Sequence, residues 1–135
     1  MNHLFVPYEL AIKLKEKGFT EPCLSYYQPN IEGLVNQFYV SVDQPEVYED
    51  TEHIITLAPL YQQVVDWFRD KKSKFIYIQC ILIHLPEGGY FWGIGNMKIE
   101  DGWEHTNYDM EEALRTHKSY YKCLETAIEE ALKLI

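Results

Sequence analysis

FIYIQCILIHLPEGGYFWGIGNMKI, residues 75–99, reads as two β-strands folded back on one another. Residues 75–85 and 90–99 are rich in β-branched and aromatic side chains, and the PEGG between them is turn chemistry. A four-residue loop at 86–89 pairs Leu85 with Tyr90. That register sets Ile83 opposite Trp92, Ile81 opposite Ile94, Gln79 opposite Asn96 and Tyr77 opposite Lys98. Successive side chains alternate between faces. Tyr77, Gln79, Ile81, Ile83, Trp92, Ile94 and Asn96 are therefore expected on one surface. Apolar anchors mixed with amides resemble an interface more than an active site, which makes these seven the candidate interaction surface. The opposite face carries His84 with Phe91, Leu82 with Gly93, Cys80 with Gly95 and Ile78 with Met97. Its two glycines leave space for a packed helix.

Working outward, residues 7–17 (PYELAIKLKEK) form a helix with Pro7 in its first turn and Gly18 as its stop. Phe19 is expected to fold back on the stripe Leu10, Ala11 and Leu14. Residues 59–70 form a second helix opened by Pro59. Its apolar face is Leu60, Tyr61, Val64, Val65 and Phe68, with Trp67 at the margin. Residues 119–134 form the closing helix, capped by Ser119, with the stripe Tyr120, Leu124, Ala127, Ile128, Ala131 and Leu132. Short strands are expected at 22–28 and 37–42, a loop or ragged edge strand at 43–56, and a short helix near 109–115. The expected fold class is α+β in a single domain, 1–135. It has an antiparallel sheet of three to five strands centred on hairpin 75–99. Helices near 7–17, 59–70 and 119–134 pack mainly on one face, the latter two on the glycine-bearing side.

The chain has 135 residues, 47% hydrophobic and 15% aromatic, with eleven tyrosines, and a formal net charge of -9. That much apolar material argues for a packed core. The acidity argues against nucleic acid and against an anionic membrane surface, since both are bound through Lys and Arg. A basic partner is compatible with it. Five carboxylates sit in 43–52 and six in 100–112, of 21 in the chain. Cys23, Cys80 and Cys123 are odd in number and far apart, the pattern of reduced thiols in a cytoplasmic protein. The N-terminus MNHLFVPYEL has no basic lead-in, and no apolar run is long enough to span a membrane.

No chemical signature stands out. His3, His53, His84, His105 and His117 show no i, i+4 pairing and no HExxH. His53 lies beside Glu49, Asp50 and Glu52, and His105 beside Glu100, Asp101 and Glu104, but solvated acidic loops have the same composition. No GxSxG elbow is present, and Cys80 and Cys123 sit in apolar settings that suit packing better than nucleophilic attack. The glycines of GGYFWGIG lie within a hairpin, not ahead of a helix, so they do not form a phosphate loop. Neither catalytic residues nor a metal or other cofactor are expected.

Three blocks carry a resemblance: FVPYELAIKLKEKGFTEPCLSYY (5–27), APLYQQVVDWFRDK (58–71) and SYYKCLETAIEEALKLI (119–135). They resemble a family of short proteins of bacteria and their prophages or mobile elements that has no assigned activity. The resemblance implies a small accessory protein of phage type. Three function classes stay open. The first is a non-enzymatic binding or adaptor protein, including a homodimer through the Trp92 surface. The second is an acidic inhibitor or nucleic-acid mimic that blocks a basic partner. The third is a small enzyme or ligand binder with Trp103 or Tyr108 lining a pocket beside a carboxylate or His105.

Overall fold

The computed structural model describes residues 2–27, 34–35, 56–81, 89–98, 102–105 and 117–135. The class is α+β, with three α-helices and two antiparallel sheets among the described residues. Packing divides the chain into two compact units, 1–64 and 65–135.

In the first unit a 3-10 turn (Asn2–Leu4) leads into α1 (Tyr8–Glu16). Gly18 ends α1 with φ +86, a conformation that costs an L-residue energy and glycine nothing. The Phe19 amide donates to the Leu14 carbonyl at 2.9 Å and the Gly18 amide to the Lys15 carbonyl at 3.0 Å. These are the two bonds of a Schellman cap, which satisfies carbonyls the helix would otherwise leave bare. Leu14 and Phe19 are both buried, as the sequence pattern requires. Strand β1 (Ser25–Tyr27) lies between β2 (Leu34–Val35) and β3 (Thr56–Ala58), pairing Ser25 with Ala58 and Tyr27 with Leu34. Helix α1 packs beside β3. The Val6 amide bonds Pro59 at 3.0 Å and the Tyr27 hydroxyl donates to the Val6 carbonyl at 2.7 Å, tying the entry of α1 to both strands.

Helix α2 (Tyr61–Lys72) starts in the first unit and ends in the second. Gln63 stands three residues into it and reaches back, its Oε1 accepting from the Leu60 amide at 2.9 Å. That is half of a capping box. Its Nε2 donates to the Pro22 carbonyl at 2.7 Å. Tyr61, Val64, Trp67 and Phe68 are buried, while Leu60 and Val65 are half-buried, so the inner face is turned toward Trp67 relative to expectation. Ser73 takes a left-handed φ of 52 and turns the chain at once into β4.

The second unit is built on β4 (Lys74–Ile81), β5 (Gly89–Lys98) and β6 (Gly102–His105), in the order β4-β5-β6. The hairpin is present, but its register is not the expected one. Tyr90 pairs with Cys80, Trp92 with Ile78, Gly93 with Tyr77, Ile94 with Ile76 and Asn96 with Lys74. This is an offset of five residues from the Leu85–Tyr90 pairing. Because five is odd, it turns β4 over relative to β5. Ile76, Ile78 and Cys80 now share the face of Trp92 and Ile94. Phe75, Tyr77 and Gln79 share the face of Phe91, Gly93 and Gly95.

Helix α3 (Tyr120–Lys133) lies against β4 and β5. Its N-cap is Ser119, whose side chain accepts from the Lys122 amide at 3.5 Å. Cys123, Leu124, Ala127, Ile128, Ala131 and Leu132 are buried on it, and Ile76, Trp92 and Ile94 are buried on the sheet. The helix thus covers the Trp92 face, not the glycine-bearing one. The space beside Gly93 is filled instead by the Tyr77 ring: a Cβ there would stand 2.7 Å from Tyr77 Cε2 and closer still to Cζ and the hydroxyl. Nor do the helices share one sheet, since α1 packs beside β3 of the first unit. The expected strand at 37–42, most of the loop at 43–56 and the short helix near 109–115 lie outside the described residues.

Candidate functional site

The candidate interaction surface does not assemble. Trp92 and Ile94 are core residues, 1% and 0% exposed. Asn96 is half-buried in the same cross-strand row, its Oδ1 accepting from Lys74 Nζ at 2.6 Å. Tyr77 and Gln79 lie on the opposite face, where Gln79 is exposed. Ile81 pairs with Gly89 at the end of β4. Ile83 lies outside the described residues.

A different group comes together where α3 begins. Tyr90 is paired on one side with Cys80 of β4. On the other side it exchanges two backbone hydrogen bonds with His117, at 2.9 and 2.8 Å. This bridge fixes the approach to α3 against β5. His117 Nε2 is buried and makes no hydrogen bond among the described residues. Three residues on, the helix opens with Tyr120 and Tyr121. The Tyr90 and Tyr120 rings meet edge to face at 5.7 Å and 85°, and Tyr120 and Tyr121 at 5.4 Å and 87°. Such geometry puts the positive rim of one ring on the negative face of the next, at about 0.5–1.5 kcal/mol per pair. Tyr120 is nevertheless 44% exposed. Tyr90 and Tyr121 are half-buried, and Cys80 is exposed. Lys122, next along the helix, is ion-paired with Glu125 at 2.6 Å. Tyr120 was expected in the buried stripe, for it is in helical phase with Leu124, Ala127 and Ala131. The stripe's cover stops one turn short of the helix end, which periodicity does not reveal. The signal that did exist is local: two tyrosines directly after an N-cap serine.

Cys23, Cys123 and the aspartates of α2 are set up for structure. Burial, with Glu21 nearby, pushes the Cys23 thiol up to about 12, and its Sγ donates to the Glu21 carbonyl at 3.3 Å. Burial pushes Cys123 up to about 11. A nucleophile needs the opposite shift, toward the thiolate. Asp66 and Asp70 flank Arg69 at 2.7 and 2.8 Å on the exposed side of α2, and those hydrogen bonds hold the Asp70 carboxyl below its usual range. Among the described residues no three His, Cys, Asp or Glu side chains gather as a cation site. The cluster around His53 and the residue Tyr108 lie outside the described residues, and of Trp103, Glu104 and His105 the structure gives the strand β6. No described helix is long and apolar enough to cross a membrane. Comparison with protein-family models, with curated proteins and with solved structures returns no match to this chain.

Proposed function

We propose that this is a small non-enzymatic protein-binding or adaptor protein that docks a basic partner through the Cys80–Tyr90–Tyr120–Tyr121 patch. The observation that carries the reading is Tyr120, 44% exposed while its ring is fixed against Tyr90 and Tyr121. Tyrosines held in one orientation lose little entropy on binding, and they dominate interface hot spots. Their faces suit the Arg and Lys side chains of a partner. The net charge of -9 attracts such a partner and repels a second copy of this chain. The phage or mobile-element setting rests on the resemblance of the three helical blocks alone.

The test is affinity capture from a bacterial lysate with immobilised wild type and with Tyr120→Ala, at low and high salt. The expected result is a basic protein retained at low salt, weakened by high salt, and held roughly tenfold more weakly by the variant. Circular dichroism checks that the variant is folded. Capture that is indifferent to Tyr120 overturns the reading. A mass of twice 16.0 kDa by light scattering, lost in Tyr120→Ala, would replace the basic partner with a second copy.

A further inference from the structure

We draw no further inference here: the strongest candidate, the half-exposed sheet face of Phe75, Tyr77 and Phe91 on β4 and β5 opposite α3, is an apolar face and nothing in the structure shows what covers it.

Discussion

Replacing Gly93 with alanine tests the hairpin register, because the outcome depends on a single ring. In the observed pairing a Cβ at position 93 would meet Tyr77 at 2.7 Å from Cε2 and closer at the ring tip. The ring must then swing away or the strands must part, and overpacking of this kind costs about 1–3 kcal/mol. Alanine recovers about 0.5–1 kcal/mol of that, because glycine in a strand interior is entropically unfavourable. The net expected loss is about 0–2.5 kcal/mol. In a Tyr77→Ala background the obstacle is gone and only the entropic gain remains. There Gly93→Ala is expected to stabilise by about 0.5–1 kcal/mol, reversing its sign. The double-mutant cycle should therefore return a coupling of about 2 kcal/mol, within the usual range for residues in contact. Urea unfolding followed by tryptophan fluorescence is the assay. Trp67, Trp92 and Trp103 all fall in residues 65–135, so the signal belongs to the unit being tested. In the register read from sequence, Gly93 faces Leu82 and Tyr77 faces Lys98, and the two substitutions would be independent. A coupling below about 0.5 kcal/mol would refute the observed pairing.

Gly18→Ala should cost about 1–2 kcal/mol, read as a lower urea midpoint; with φ +86 and no atom within 4 Å of the added Cβ, the cost is all backbone. A loss under about 0.3 kcal/mol would mean that the α1 cap is not a left-handed one. Trp92→Ala should cost about 3–5 kcal/mol and leave the protein largely unfolded at 37 °C, since Trp92 is 1% exposed; a stable, soluble variant would return this residue to the surface. At pH 8 a maleimide should label Cys80 well before Cys23 and Cys123, with all three equal in urea, and equal rates in the folded protein would contradict their burial. The raised thiols also set a pH dependence. Unfolding lets Cys23 and Cys123 ionise near the ordinary cysteine value of about 8.5, whereas folding holds them protonated to about 12 and about 11. Their contribution is full below that ordinary value and is lost as pH rises through the folded values. The urea midpoint should fall between pH 8.5 and 10.5, and less steeply in Cys23→Ala.

What sequence could reveal divides along the range of the interactions involved. The ends of α1 and α3 were legible because their determinants are local: Gly18 and Phe19 can only make one kind of cap, and Ser119 precedes an amphipathic run. The class and the central hairpin were legible from β-branched runs and a turn. The register was not, and the reason is visible in β4. Phe75, Ile76, Tyr77 and Ile78 are apolar at every position, so the alternation that ordinarily fixes phase carries no information. Phase was set instead by α3, which selected Ile76, Ile94 and Trp92 for burial, and by the fit of Tyr77 to Gly93. Strands β2, β3 and β6 were missed because runs of two to four residues are too short to show a period.

That change of phase also moves the place where function can reside. Once Trp92 is committed to the core, exposed aromatic rings in contact remain, among the described residues, at the start of α3 and at Tyr8, which is 44% exposed and meets Tyr27 edge to face at 5.3 Å. The first turn of a helix is stabilised by Asp or Glu, at about 0.3–1 kcal/mol each. This chain has 21 carboxylates, yet the first turn of α3 has none. In their place stand two tyrosines, one of them 44% exposed, at positions where helix propensity favours neither. Their edge contacts hold the three rings in one arrangement, and it is that arrangement a partner would meet. A substitution such as Tyr120→Glu separates the two roles. It gives up two edge contacts, about 1–3 kcal/mol together, for a helix-start carboxylate of about 0.3–1 kcal/mol. The urea midpoint should therefore fall modestly in a variant that stays folded, while binding is lost. A folded variant that kept wild-type binding would show that the tyrosines serve the fold alone.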